Sequence, residues 1–353
     1  MSELISKTIA AIEPPDERAA EAAQKWNDAK TKPPGALGRL EELARRLAAA
    51  RGLALPQLAR KVVVVMAADH GVTVEGVSAY PAEVTPQMVH NFVRGGAAIN
   101  VLARLAGAKV MVVDMGVRGT HDFGPGVVSM KIGDGTANLA VGPAMTREQA
   151  ERSIEAGIAL AVALGEQGVD LVGTGDMGIG NTTASSAIVA ALCKVAPSEV
   201  TGRGTGIDDA TLQRKVRVIE RALAVNRPDP ADPIDVLAKL GGFEIGGLCG
   251  LMLGAASLRV PTLVDGHISG AAALLAARLA PLARGYLFAS HRSVEVGHGR
   301  ALAELGPPPL LDLGMRLGEG TGAALAMLLC EAALRVQTEM ASFAEAGVSG
   351  KKE

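Results

Sequence analysis

Six short runs of mostly aliphatic residues constrain this chain more than any other feature: Val62–Ala67, Val110–Asp114, Val169–Gly173, Pro261–Val264, Gly285–Ala289 and Leu310–Leu313. They are apolar without strict alternation, which suits strands covered on both faces, as in a parallel sheet. Longer Ala-rich stretches with helical spacing fall between most of them, among them Arg147–Gln167, Thr182–Lys194, Asp208–Ala224 and Ser269–Ala280. Strands alternating with helices predict an α/β fold, a six-stranded and mainly parallel sheet flanked by helices with right-handed crossovers. The chain ends read differently. From Pro15 to Gly52 the sequence is rich in charge and alanine, and two helical patterns flank Lys32-Pro33-Pro34-Gly35. The second places Leu37, Leu40, Leu43, Ala44 and Leu47 at helical spacing, and a last helix over Thr321–Ala344 is expected to pack with this N-terminal pair. The tail Ser349–Glu353 is expected to fray.

Composition narrows the partners. With 35 basic and 37 acidic residues the net charge is -2, so there is no basic excess to displace counterions from a nucleic acid. Aromatic residues make up only 2% of the chain, which leaves little for stacking on bases and requires a core of Ala, Val, Leu, Ile and Gly. Cys193, Cys249 and Cys330 are odd in number, far apart and set in apolar runs, and read as buried free thiols of a reducing compartment. Met1–Pro15 lacks a continuous signal-type apolar core. The charge-free run Met177–Cys193 carries Asn181, Thr182, Thr183, Ser185 and Ser186, and Ile245–Leu258 is shorter than the ~20 residues of a membrane helix. These readings predict a cytoplasmic protein without membrane contact.

Ligands of open α/β sheets bind beyond the carboxyl ends of the strands. Those ends are polar here: Asp69-His70-Gly71, Asp114, Gly173–Thr183, Asp265-Gly266-His267, Ser290–Ser293 and Asp312 followed by Arg316–Gly322. Asp and Gly also start turns after strands, so each site alone has a plain structural reading. Gly173, Gly175 and Gly178 spell GxGxxG, the fingerprint of a dinucleotide loop. Asp176 would set like charge against a pyrophosphate there, so the segment reads either as a loop binding one phosphate at the helix start Asn181–Thr183 or as a tight turn. A second glycine loop, Gly202–Gly206, is followed by Lys215, and the two loops together could hold one phosphomonoester. The six histidines never fall at HxxxH or HExxH spacing, no G-x-S-x-G elbow occurs, and neither a metal nor a cofactor is expected. Glu319, between Gly318 and Gly320 and after apolar Leu317, reads either as a general base in a partly dry pocket or as a helix N-terminal carboxylate stabilised by the dipole.

Five segments occur together and in order: Lys32–Glu41 (KPPGALGRLE), Ala68–Val72 (ADHGV), Ser78–Val89 (SAYPAEVTPQMV), Gly173–Thr183 and Arg316–Ala324. The set resembles the nicotinate-nucleotide:5,6-dimethylbenzimidazole phosphoribosyltransferases of cobalamin lower-ligand synthesis, from about Lys32 to Ala333. The resemblance implies a homodimer whose subunit has a large Rossmann-like α/β domain, residues 56–318, and a small helical domain from residues 1–55 and 319–353. It implies transfer of phosphoribose from nicotinate mononucleotide to 5,6-dimethylbenzimidazole, with inversion at C1′ and Glu319 as general base. It places Ser78, Gln87 and Leu317 in the benzimidazole pocket, with Tyr80 beside Ser78, and the phosphate at Gly178 and Gly204 with Lys215 and Ser293. Gly180 and Asn181 belong to the same phosphate and ribose group. Asp176 stands where the family pattern has glutamate, which suits a role in positioning groups around the ribose. Two other readings remain open: a nucleotide-binding oxidoreductase using GxGxxG, and a non-catalytic nucleotide-binding regulator on the same fold.

Overall fold

The computed structural model describes residues 1–349, and the remainder of the tail expected to fray, Gly350–Glu353, lies outside the described residues. Six parallel strands form one sheet: β1 (Lys61–Ala68), β2 (Ala108–Gly116), β3 (Val127–Ser129), β4 (Leu171–Met177), β5 (Thr262–Val264) and β6 (Leu287–Ala289). Their order is β3-β2-β1-β4-β5-β6, the doubly wound arrangement in which chain direction across the sheet reverses between β1 and β4. All eight residues of β1 are buried, as the run of valines requires of a central parallel strand.

One expected strand is corrected. Leu310–Leu313 makes only an isolated bridge, Leu311 to His291, because three prolines precede it and its end is exposed. The sixth strand is instead Val127–Ser129, a three-residue edge strand too short to carry a pattern. The third run is also shifted: the strand covers Leu171–Met177, so Gly173 and Gly175 lie inside it rather than in the loop beyond.

The helices are α1 (Glu3–Ala10), α2 (Glu17–Ala29), α3 (Arg39–Arg51), α4 (Val84–Arg94), α5 (Ala98–Leu105), α6 (Arg147–Glu166), α7 (Asn181–Cys193), α8 (Asp209–Asn226), α9 (Pro233–Leu240), α10 (Phe243–Ser257), α11 (His267–Leu279), α12 (Val296–Leu305), α13 (Thr321–Glu339) and α14 (Phe343–Ala346). The apolar run from Ile245 is the body of α10, all but its last residue buried, so its lack of a polar face marks a core helix. No helix among the described residues is long and apolar enough to cross a membrane. With so few aromatic residues, the core closes by bringing backbones together. A Cβ at Gly157 of α6 would collide with the Gly247 carbonyl of α10.

The chain ends meet as the sequence suggests, but the last helix stops at Glu339, and α14 starts anew at the Ser342 N-cap. Lys30 Nζ donates to Met340 O (2.7 Å) and Gln337 Nε2 to Ala23 O (3.0 Å). The segment Lys32–Glu41 is held by a buried ion pair, Lys32 Nζ to Glu41 Oε1 at 2.7 Å, whose carboxylate also accepts from Leu37 N. α13 packs on both α3 and β4, and one apolar cluster runs from Leu47 through Val63 to Met327. Cys249 and Cys330 are buried as expected, while Cys193, at the end of α7, is only half-buried.

Candidate active site

A cleft of about 460 Å³ opens beyond the carboxyl ends of β4, β5 and β6. The end of β4 gives it Asp176, the turn after it Gly178, and the start of α7 Asn181 and Thr182; the segment after β6 gives Ser293 and Glu295; and the turn before α13 gives Arg316, Leu317 and Glu319. Tyr80, Val84 and Met88 close one side, and Gly204 and Thr205 cross the mouth. Among the residues singled out in the sequence, Glu319, Tyr80, Leu317, Asp176, Gly178, Asn181, Gly204 and Ser293 border this cleft.

Four others stand back from the cleft. Gln87 is exposed next to Met88. Ser78 sits on the rim, its Oγ 3.4 Å from Thr205 Oγ1. Gly180 is the left-handed N-cap of α7 (φ 96°), packed against His70 and Thr73. Lys215 is buried behind the wall. Its Nζ donates to Thr182 Oγ1 (2.8 Å) and to Gly202 O (3.4 Å), so it reaches the cleft through one hydroxyl. Burial pushes the Lys215 ammonium down to about 8, opposed by the negative charge of Glu295.

Glu319 is held in an unusual backbone. Its φ is 60°, between Gly318 at 83° and Gly320 at 88°, so three successive residues are left-handed. For a non-glycine residue that conformation costs ~1–2 kcal/mol and needs support from its surroundings. Asp265, at the end of β5, supplies it by accepting from Gly320 N (3.2 Å) and Ala323 N (3.0 Å). Gly175 supplies the rest: a Cβ there would overlap the Glu319 carbonyl, so only glycine lets the turn lie on β4. The Glu319 side chain is buried and accepts one hydrogen bond, from Ile99 N in the first turn of α5 (3.3 Å). Both readings of Glu319 therefore have a physical basis: it faces the cleft, and it meets a helix N-terminus, though that of α5 rather than of α13. Burial pushes its carboxyl above the usual range, and the Ile99 N–H opposes that rise.

Asp176 is more strongly perturbed. Burial, then the nearby Asp265, Glu244 and Glu319 carboxylates, push its carboxyl well above the usual range, against a 2.9 Å bond from Asn181 Nδ2 to Oδ2. Its Oδ1 is buried without a partner. A carboxyl in this setting gives up its proton less readily than an exposed one. Asp265 itself is pushed up to about 7, chiefly by burial. His267 accepts or donates at Ser186 Oγ (3.1 Å) and burial pushes it down to about 3, so it stays neutral. His291 lies 3.7 Å from Asp265 Oδ1 and also borders the cleft, whereas His70 is sealed behind Gly178 against Glu244 (2.6 Å).

Other strand ends follow the plain turn reading. Asp114 accepts from Gly116 N and Val117 N, and exposed Asp312 pairs with Arg292. The GxGxxG glycines are also explained by packing. Gly173 faces Met327 and Ala323 of α13, Gly175 faces the Glu319 turn, and Gly178 faces the Ala68 carbonyl. The first two lie in strand, so the pattern is not a pyrophosphate loop, and the oxidoreductase reading loses its footing. The sequence reading missed Glu295, Arg316 and Thr205 as individual residues. The signals were polarity continuing past Ser293, the second glycine loop around Thr205, and the segment that Arg316 opens.

A β4–α7 turn with an anion-suited helix start, a buried lysine behind it and a carboxylate across the cleft suits an enzyme that moves a phosphorylated sugar. In agreement, a family model described as phosphoribosyltransferase matches residues 12–348. The nicotinate-nucleotide–dimethylbenzimidazole phosphoribosyltransferases of Roseiflexus sp. (strain RS-1) and Chloroflexus aggregans are each 60% identical over 350 residues, covering 99% of both chains. A crystal structure of such an enzyme from Thermus thermophilus matches with a TM-score of 0.90 at 50% identity, covering 95% of this chain and all of that one. The chain belongs to the nicotinate-nucleotide–dimethylbenzimidazole phosphoribosyltransferase family.

Proposed function

We propose that this enzyme joins 5,6-dimethylbenzimidazole to the phosphoribosyl group of nicotinate mononucleotide, in the synthesis of the cobalamin lower ligand. A ring nitrogen of the base attacks C1′, the bond to the pyridinium nitrogen breaks, and nicotinate leaves with its ring nitrogen neutral. The leaving group needs no acid. The attacking base has one N–H and one lone pair, so bond formation through the lone pair leaves a cation until the N–H proton is removed. Glu319 takes that proton, a contribution typically of ~10²–10⁴-fold. Attack opposite the departing nicotinate inverts C1′ from β to α, and the product is α-ribazole 5′-phosphate.

The observation that carries this reading is the placement of Glu319: buried, on the cleft wall, with one hydrogen-bond donor and a carboxyl raised by burial above the usual range. The phosphate sits against Gly178, Asn181, Gly204 and Ser293, with Lys215 acting from behind Thr182. Asp176, its carboxyl raised by burial and by the carboxylates around it, positions groups around the ribose. Tyr80 and Leu317 flank the benzimidazole, with Ser78 at its rim and exposed Gln87 beyond it. In this reading residues 1–55 and the described residues from 319 onward act as one small helical unit on the 56–318 body, two subunits pair, and the enzyme works in the cytoplasm. Incubation with both substrates, followed by chromatography, should show nicotinate release and α-ribazole 5′-phosphate in equal amounts. Nicotinate release that does not depend on the benzimidazole would remove the transfer step.

A further inference from the structure

We infer that the Thr205 hydroxyl is a positioning group that couples binding of the acceptor base to binding of the nucleotide phosphate. The inference rests on the proposed assignment of the two sides of the cleft and goes beyond it. The loop Gly202–Gly206 crosses the mouth and touches three walls. On the acceptor side, Thr205 Oγ1 accepts from Ala79 N (3.1 Å) and shares a 3.4 Å hydrogen bond with Ser78 Oγ, which accepts from Tyr80 N (3.2 Å). On the phosphate side, Gly204 N donates to Glu295 Oε1 (2.8 Å), and Gly202 O accepts from Lys215 Nζ (3.4 Å). On the third side, Gly204 O accepts from Arg316 Nη1 (2.9 Å), three residues before Glu319.

The loop is also closed on itself. Gly206 N donates to Arg203 O (3.0 Å), and Arg203 Nη1 donates to Ile207 O (2.9 Å). A short, self-bonded loop moves as a unit, so a ligand that fixes Gly204 also fixes Thr205 one residue on. Thr205 then fixes the backbone of Ala79 and the hydroxyl of Ser78. Ordering shared in this way makes the second ligand bind more tightly than the first, and the effect is reciprocal. Thr205 is exposed, and its hydroxyl is bonded only to this rim segment, so its loss leaves the fold intact.

Calorimetry with two non-reacting probes tests the coupling: 5,6-dimethylbenzimidazole titrated alone, and again with saturating ribose 5-phosphate. In the wild type, ribose 5-phosphate should raise the affinity for the base by roughly fivefold or more. In Thr205→Val that gain should vanish, the ratio of the two affinities falling to within about twofold of one whatever the affinity for the base alone becomes. Thr205→Ser, which restores the hydroxyl, should restore the gain. A gain that persists in Thr205→Val, or a wild type that binds both probes independently, overturns the inference alone. A wild type that fails to bind either probe overturns the functional reading on which it rests.

Discussion

The cleft has two glycine-rich borders, Gly173–Gly180 and Gly202–Gly206, and they need glycine for different reasons. In the first, Gly173 and Gly175 sit in a central strand, and what matters is the space a side chain would fill. A Cβ at Gly175 would overlap the Glu319 carbonyl, and one at Gly173 would lie 3.0 Å from Met327 Cε. In the second, Gly204 and Gly206 are left-handed (φ 52° and 97°), so the backbone matters as well as the space, which at Gly202 is taken by the Glu295 carboxylate. The strand glycines make room for the Glu319 turn, and Gly204 and Gly206 shape a loop over the mouth. The same residue type therefore predicts different failures on the two borders.

The largest failure is expected at Gly175→Ala. The added methyl forces the Glu319 turn off β4, with ~1–3 kcal/mol of overpacking and ~10²-fold lower turnover from a misplaced base. Thermal unfolding and the nicotinate-release rate would show both losses together. Gly204→Ala should separate them. Its Cβ would lie 2.9 Å from Thr182 Oγ1 and 3.3 Å from Lys215 Nζ, and its backbone strain costs ~1–2 kcal/mol. Nucleotide KM should rise about tenfold, a shift of ~1.4 kcal/mol, with kcat nearly unchanged.

The pH dependence of the Lys215 wall comes next. Its folded value is pushed down to about 8 from an ordinary 10.5, so the free enzyme loses this positive charge above about pH 8. kcat/KM for the nucleotide should bend downward there, and Lys215→Met should be lower but lack that bend. Stability moves the other way: between about 8 and 10.5 the unfolded lysine binds more protons than the folded one. Wild-type stability attributable to this group therefore rises with pH through that window, and the variant should lose that slope. The smallest effect is expected at Gly206→Ala, where no atom beyond its chain neighbours comes nearer than 4.0 Å to the added Cβ. Strain of ~1–2 kcal/mol should lower the melting temperature while turnover stays within about twofold. A large loss of activity at Gly206 with little at Gly175 would reverse the comparison.

Much of the α/β order was legible because buried parallel strands are written as unbroken valine and leucine runs. β1 and β2 are each present around their expected positions. Val127–Ser129 was not legible, since three edge residues, none of them buried, carry no pattern, and Leu310–Leu313 misled because an apolar run after prolines resembles a strand. At the site, Glu319 stood out through its flanking glycines, and Asp176 through its odd place among them. Glu295 and Thr205 did not, because their importance lies in what they touch across the cleft: Gly204 N in one case, Ala79 N in the other. The trans support of Asp265 under the Glu319 turn is likewise a tertiary fact, joining residues 55 positions apart.

The central claim is that Glu319, held on β4 by Gly175 and Asp265, is the base. It is tested most directly by measuring turnover and nucleotide affinity in Glu319→Gln, which keeps the shape of the side chain and removes its basicity. Turnover should fall by ~10²-fold or more while the dissociation constant for nicotinate mononucleotide stays near that of the wild type. Turnover equal to the wild type, with the same nucleotide affinity, would contradict the account.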